Sequence, residues 1–253
     1  MKQIIYLIFA IIPAVLWIYY FYKHDKGEKQ PLRILILAAV FGAIAVIPAA
    51  FLEIIAIKKI IPVILPFEKV SSISSYTSFT LALILNVLFI SVIEEVLKYL
   101  SVRFTVYYSK YFDEISDGII CMVAAAFGFA AAENFLYFMK FGQDVIFIRS
   151  LFTPLFHASA SAIVGHYLGI AKKEKKYQKK VLLAIIFAAL LHFIYNSLVI
   201  FSGMSEKLLY NFLAIVLLVF SGKWMLDRFK ETERIDEELY NGKSWLKIFI
   251  IKV

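Results

Sequence analysis

The stretch FTLALILNVLFISVIEEVLKYLSVRF, residues 79–104, decides the fold class of this chain. Residues 79–93 contain no charged side chain, and a helix of ~20 apolar residues crosses the ~30 Å hydrocarbon core of a bilayer. The stretch therefore predicts a transmembrane helix. Its second half contains two adjacent acids, Glu94 and Glu95, followed by Lys98. Because a charged side chain at mid-bilayer costs about 2.5–3.5 kcal/mol on insertion scales, these three residues call for a structural or chemical reason.

The rest of the chain repeats the apolar pattern. Of its 253 residues, 62% are hydrophobic and 18% are charged, whereas an ordinary soluble domain has about 45–50% apolar residues. Apolar runs between charged clusters predict seven transmembrane helices, with six or eight as alternatives; they cover residues 3–22, 32–56, 79–104, 118–141, 145–170, 181–201 and 208–226. We therefore expect an all-α, polytopic integral membrane helix bundle of about seven transmembrane helices over residues 1–226.

Two segments fall outside this pattern. Residues 57–78 contain Pro62, Pro66 and a serine-rich run, which favours an external linker over a segment that dips into the bilayer surface. Residues 227–253 are expected to form a cytoplasmic tail. The tail ends in an apolar sequence with spaced lysines from Trp245 onward, which is typical of an interfacial anchor.

Lysine and arginine are distributed unevenly over the predicted loops. Of the 27, nineteen lie in the first, third and fifth loops and the tail, seven lie on the other side, and Lys98 lies within a span. Because short loops rich in these residues stay in the cytoplasm, we expect the N-terminus outside and the C-terminus in the cytoplasm. The net charge of +8 then faces anionic lipid, and no nucleic-acid partner is expected. The single cysteine, Cys121, excludes an internal disulfide and a cysteine-built zinc site.

The charges in the third span have two interpretations. Glu94 and Lys98 are one helical turn apart and would form an ion pair that makes the span insertable. That pair leaves Glu95 unexplained. Two neighbouring acids in a low-dielectric setting also form a candidate proton acceptor.

The next three spans each contribute polar groups. Glu133 follows an alanine run, His157 lies in a stretch of small residues, and His192 precedes Asn196 by one turn. Each alone is more simply a packing residue, and His166 is expected at the interface near the cytoplasmic end. Together, two imidazoles and a carboxylate form a known zinc ligand combination that leaves another carboxylate as general base. The same groups suit a metal-free reaction in which a glutamate activates water and His or Asn stabilises an oxyanion.

The ordered set of motifs resembles a known family, the PrsW-type intramembrane proteases of the wider CAAX-protease and bacteriocin-processing superfamily. The likeness runs through most of the chain. Its parts are Glu94-Glu95-x-x-Lys98, Phe112-Asp113-Glu114 with Asp117-Gly118-Ile119, Gly128 to Glu133-Asn134, Arg149 with Pro154 and His157, Gly165 to Gly169, and Leu191-His192-x-x-Tyr195-Asn196.

The resemblance implies hydrolysis of a peptide bond in or near the transmembrane segment of a single-pass membrane protein such as an anti-sigma factor. Residues 1–226 would then be a transmembrane catalytic domain. By motif, Glu94 and Glu95 would supply the water-activating carboxylate, while Glu133, His157 and His192 would hold a metal ion, Zn²⁺, or the histidines would stabilise an oxyanion. Asn196 would complete the catalytic set; relatives have aspartate there, and an amide ligand would carry less charge.

Two other functions are compatible with the residues alone. Intramembrane Glu and His also form proton relays in transporters, and a non-catalytic scaffold could keep the same pocket for binding. Transporters often show repeated halves with broken helices in matching positions, and the sequence shows no internal repeat. The residue set therefore favours an intramembrane protease.

Overall fold

The computed structural model describes residues 2–26, 28–64, 75–142, 146–174, 177–205 and 207–240. All regular elements in these ranges are helical: α1 (Lys2–His24), α2 (Leu32–Ile44), α3 (Val46–Ile55), a π-helical turn (Ala56–Ile60), α4 (Ile61–Ile64), α5 (Ser75–Thr105), α6 (Ile115–Phe141), α7 (Ile146–Glu174), α8 (Gln178–Ser205) and α9 (Leu208–Tyr240). The predicted all-α membrane bundle is confirmed.

Six helical stretches of the described chain are long and apolar enough to cross a membrane: Lys2–His24, Leu32–Ile60, Thr80–Thr105, Ile115–Phe141, Gln178–Ser205 and Leu208–Tyr240. They match six of the seven predicted spans. The remaining prediction, residues 145–170, corresponds to α7, which has 29 residues and is not among the six stretches found in the described residues. Residues 156–166 of α7 are all buried, so its polar side chains face neighbouring helices and not lipid.

The second span extends further than the sequence predicts. The predicted linker begins at residue 57, whereas the helix continues through the π-helical turn and α4 to Ile64. The π-helical turn ends two residues before Pro62, which has no N–H and whose ring disrupts the regular pattern of α-helical hydrogen bonds. Helical structure resumes at Ser75, so part of the predicted serine-rich linker is helical, and residues 65–74 lie outside the described ranges.

Helix α6 forms the centre of the bundle. In its apolar window 89% of the residues are buried, against 17–33% in the other five candidate spans. Small residues allow other backbones to approach it: a Cβ on Gly165 of α7 would lie 2.8 Å from both the carbonyl carbon of Gly118 and the Cα of Ile119. This close packing holds α7 against the central helix.

Helix α9 continues past its predicted end at residue 226 and fixes the N-terminus of α6. The Asp236 carboxylate accepts hydrogen bonds from the backbone N–H groups of Ile115 (3.2 Å) and Ser116 (2.9 Å). The backbone N–H of Lys26, just after α1, donates to Glu233 at 2.6 Å. The ends of α1 and α9 and the start of α6 therefore meet at one end of the bundle. The predicted interfacial anchor lies outside the described residues.

Candidate active site

The costly polar residues of four helices meet inside the bundle. Glu94 comes from α5, Glu133 from α6, His157 from α7 and His192 from α8. The ring centroids of the two histidines are 4.8 Å apart, and Glu133 Oε2 lies 3.0 Å from His157 Nε2. Glu94 Oε2 lies 3.9 Å from His157 Nδ1 and 3.8 Å from His192 Nε2. Residues far apart in sequence thus form one compact group.

Glu95 is completely buried and has every side-chain oxygen occupied. Its Oε1 accepts hydrogen bonds from Lys98 Nζ at 2.7 Å and from His192 Nδ1 at 2.9 Å. Its Oε2 accepts a hydrogen bond from Ser161 at 3.0 Å. Because Nδ1 of His192 donates its proton to this carboxylate, the lone pair of that imidazole lies on Nε2, toward Glu94. Glu95 therefore orients His192.

Lys98 neutralises the centre of the group. Its ammonium is fully buried, 2.7 Å from Glu95 Oε1 and 3.5 Å from Glu94 Oε2. It also lies 2.6 Å from His157 Nδ1 and 4.6 Å from the centroid of the Phe129 ring. An ammonium can only donate, so His157 Nδ1 accepts and its Nε2 faces Glu133. The predicted pair with Glu94 is present, but the closer partner is Glu95.

Glu94 and Glu133 each have a buried carboxylate oxygen, Oε2, without a hydrogen-bond partner among the described residues, and Glu94 Oε2 lies 3.5 Å from Lys98 Nζ. One ligand atom each from Glu94, His157 and His192 can be chosen so that all three lie within 4.8 Å of one another. Two imidazoles and one carboxylate are a recognised zinc ligand set, and an orphaned carboxylate oxygen facing both rings fits a divalent cation. The residue types present therefore match a metal ligand set, and His157 would offer a nitrogen lone pair to the ion by giving up its contact with Lys98 or with Glu133.

Glu133, the carboxylate ligand expected from the sequence resemblance, is not in that group of three. Arg149 Nη2 binds its Oε1 at 2.9 Å. Arg149 is itself held by Asn134, with Nε 3.1 Å from Oδ1, and its guanidinium stacks 3.6 Å above the Tyr137 ring. Arg149 thus fixes one oxygen of Glu133 and leaves the other, Oε2, beside His157.

A cavity of about 310 Å³ opens next to these side chains. Its polar lining consists of Glu53, Glu94, Glu133, Tyr137, Arg149 and Asn196, and its remaining walls are apolar. At ~30 Å³ per molecule the cavity has room for about ten waters. Asn196, one turn beyond His192, lies on its wall as the sequence predicts, whereas His166 lies elsewhere, packed edge-on against Tyr167 and Trp224.

Two residues of this cavity were not assigned a role from the sequence. Glu53 was not singled out, and Arg149 was noted only as part of the motif set. Glu53 lies within the predicted second span, and an acid inside a span is itself the signal that could have drawn attention to it. Arg149 belongs to the motif set, but its contact with Glu133 spans 16 residues and a helix boundary.

Comparison with known proteins agrees with this geometry. Residues 30–221 match the family described as "PrsW family intramembrane metalloprotease". The protein named "Protease PrsW" of Oceanobacillus iheyensis is 32% identical over 188 residues, covering 74% of this chain and 79% of the relative. Its namesake of Bacillus subtilis is 29% identical over 189 residues, with 74% and 79% covered, and that of Geobacillus kaustophilus is 31% identical over 171 residues, with 66% and 68% covered. No solved structure matches. The chain therefore belongs to the PrsW family of intramembrane metalloproteases.

Proposed function

We propose that this intramembrane protease uses Glu94, His157 and His192 to hold a Zn²⁺ ion and Glu133 as general base. The observation that carries the proposal is Glu94 Oε2, a buried oxygen without a hydrogen-bond partner in the described structure, which lies within 4 Å of a nitrogen of each histidine. When bound, zinc lowers the pKa of a water ligand and polarises a carbonyl.

The protein's own side chains divide the remaining work. Glu95 has both oxygens occupied by donors, so we assign it to orienting His192 and not to activating water as the sequence suggested. Glu133 has one oxygen fixed by Arg149 and one facing the histidine, and it would take a proton from the attacking water. Asn196 on the cavity wall would donate a hydrogen bond to the oxyanion that forms on the scissile carbonyl.

The substrate we propose is the transmembrane segment of a single-pass membrane protein, such as an anti-sigma factor. Three of the four helices that supply the site, α5, α6 and α8, contain stretches long and apolar enough to span a bilayer, and the cavity combines an apolar wall with a few charged groups. That lining suits an apolar chain whose backbone carbonyl must be presented to polar groups. No nucleic-acid partner is proposed.

The decisive experiment compares metal content with cleavage. Purified protein is mixed with a panel of single-pass membrane peptides, and products are identified by mass spectrometry before chelation, after chelation and after zinc is restored. We expect cleavage to stop on chelation and return with zinc. Glu94→Gln should retain less than a tenth of the bound zinc, whereas Glu237→Gln, which removes an exposed acid of α9, should bind zinc normally. Cleavage by a preparation shown to be metal-free, or full zinc content in Glu94→Gln, would overturn the assignment.

We further propose that the N-terminus lies outside and the C-terminus in the cytoplasm. The meeting of the first loop, the start of α6 and the end of α9 at one end of the bundle supports this alternation, as does the lysine and arginine bias. The test uses single cysteines labelled in intact cells with a membrane-impermeant maleimide. Lys207→Cys should react and Lys180→Cys should react only after the membrane is opened; the reverse pattern would invert the topology.

A further inference from the structure

Glu53 lies on the inward face of α3. Val46, Ala49 and Ala56 are buried, and their spacing of three and seven residues places them on one helix face with Glu53. Ile47, Phe51 and Ile54 on the other side are exposed by 72%, 65% and 51%, as expected for a lipid-facing surface. The orientation of α3 therefore directs the Glu53 carboxylate toward the interior of the bundle.

The inward face of α3 covers the active site. Val46 and Ala49 pack with Phe129, and the Phe129 ring lies 5.9 Å from that of His157, centroid to centroid. Glu53 lines the same cavity as Glu94 and Glu133. This cavity would be the reaction chamber of the proposed function.

Glu53 differs from the other acids of the chamber because it forms no ion pair with any of the described residues. Glu133 is paired with Arg149 at 2.9 Å and Glu94 with Lys98 at 3.5 Å, whereas the ion pairs of the described residues, counted to 4.0 Å, do not include Glu53. A charged side chain is expensive in a span, and an acid without a cationic partner is less costly there as the neutral carboxylic acid. An acid inside a span without an ion pair in the described part of the chain is a candidate for a chemical role.

Peptide hydrolysis needs a proton donor for the departing amine, and the chamber offers two acids for this step: Glu133 after it has taken the water proton, and Glu53. Breaking the C–N bond releases an amine, which must receive a proton as it departs. Lys98 is bound to Glu95 and His157, and Arg149 is held by Glu133 and Asn134. Glu133 takes up a proton from water in the same turnover, but Arg149 at 2.9 Å favours its charged form, whereas Glu53 has no cation within ion-pair distance among the described residues and is the better candidate to carry a proton to the amine.

We propose that Glu53 is the general acid of this reaction: its carboxylic acid proton passes to the nitrogen of the departing amine. The inference rests on the proposed function. Water oxygen bonds to the scissile carbonyl carbon, and its proton goes to Glu133. The C–N bond then breaks, the nitrogen keeps the bonding electron pair and takes the proton of Glu53, and a cavity water carries the proton of Glu133 back to Glu53. The products are one carboxyl terminus and one amine terminus, and no oxidant or other reactant is needed.

The test exploits the leaving group. The best-cleaved peptide of the panel is made in two forms, with the natural amide and with an ester at the scissile bond, because a departing alkoxide depends less on protonation than a departing amide nitrogen. Rates are compared for wild type, Glu53→Gln, Glu53→Asp, Glu133→Gln and the exposed-acid control Glu237→Gln, with zinc content measured for each.

Glu53→Gln should lower kcat on the amide by about 100-fold or more, in line with the loss of a general acid, while KM and zinc content stay unchanged. On the ester the same variant should lose less than tenfold, and Glu53→Asp should recover part of the amide rate. Glu133→Gln should be slow on both substrates, and Glu237→Gln should match wild type. Equal losses on amide and ester, or a wild-type amide rate in Glu53→Gln, would overturn the role of Glu53. If wild type cleaves neither substrate, it is the proposed function that fails.

Discussion

Replacing Glu95 by glutamine separates the two roles that this residue could have. As a general base, Glu95 would be needed to activate water, and its loss would slow cleavage by 100-fold to 10,000-fold. As the carboxylate that orients His192, it would affect cleavage less, because loss of such a partner of a metal-binding histidine typically reduces activity or metal affinity 10- to 100-fold. The structure supports the second role, so we expect a 10- to 100-fold loss accompanied by weaker zinc binding.

The same substitution should also destabilise the protein. Glu95 and Lys98 are both fully buried and 2.7 Å apart, and removal of one partner of a buried ion pair costs about 3–5 kcal/mol. Glutamine keeps one acceptor oxygen for Lys98 and His192 and can donate to Ser161, and Glu94 still lies 3.5 Å from Lys98. We therefore expect about 3 kcal/mol, at the lower end of that range. Lys98→Met, which leaves a buried carboxylate unpaired, should cost about as much or more.

The double variant Glu95→Gln/Lys98→Met tests this reasoning. With both charges removed, its free energy of unfolding in bicelles should fall by less than that of either single variant. Ser161→Ala, which removes one hydrogen bond to the same carboxylate, provides the matched control at about 1.5–3 kcal/mol. If the losses in the free energy of unfolding simply added up in the double variant, the coupling between the two charges would be refuted. A 10,000-fold loss of cleavage in a folded, zinc-loaded Glu95→Gln protein would instead show that Glu95 is the general base.

Three further predictions concern packing, pH and the anchor of the base. Gly165→Ala should lower the free energy of unfolding by about 1–3 kcal/mol or more, because the new Cβ would press on the backbone at Gly118. The control Gly203→Ala, whose new Cβ would have nothing within 4 Å, should leave stability unchanged or raise it slightly in the same thermal unfolding assay. Burial raises the pKa of Glu114 to about 7, so this carboxyl binds more protons in the folded protein than in the unfolded chain between about pH 4.5 and 7. Its contribution to stability should fall as pH rises through that window. Glu114→Gln should make the fall less steep, with the remainder due to neighbouring acids such as Asp25, whose pKa burial raises to about 6; an unchanged slope would contradict this. Arg149→Lys should slow cleavage about tenfold or more with unchanged zinc content, because lysine cannot reproduce the planar contacts of the guanidinium; a wild-type rate would show that the guanidinium does not position the base.

The sequence was sufficient for the membrane fold because hydrophobic length is a local property. The runs at 3–22 and 181–201 had to become helices in lipid, since an unpaired backbone in hydrocarbon is too costly. The sequence predicted the end of the second span less well, because the helix continues to Ile64. It also gave no sign that the polar side chains of α7 are buried against other helices. Burial against neighbours cannot be seen in a hydropathy profile, because it depends on which helices pack together.

The identity of the site residues was also largely present in the sequence. Acids and imidazoles inside apolar runs are expensive, and Glu94, Glu133, His157 and His192 were singled out for that reason and by their resemblance to a family. What the sequence did not contain was the division of roles between Glu94 and Glu95. Adjacent residues on a helix point about 100° apart. Glu95 therefore binds Lys98, Ser161 and His192, whereas Glu94 directs an oxygen without a hydrogen bond toward two imidazoles.

Sequence alone therefore determined that this chain is a membrane helix bundle with a hydrolytic set of side chains, because insertion energies act residue by residue along the chain. The packing of the helices decided the rest. It brought donors to both carboxylate oxygens of Glu95, placed Arg149 against Glu133 and brought Glu53 into the same cavity. Distances between helices depend on how glycines and alanines let backbones approach one another, and that is a property of the whole bundle.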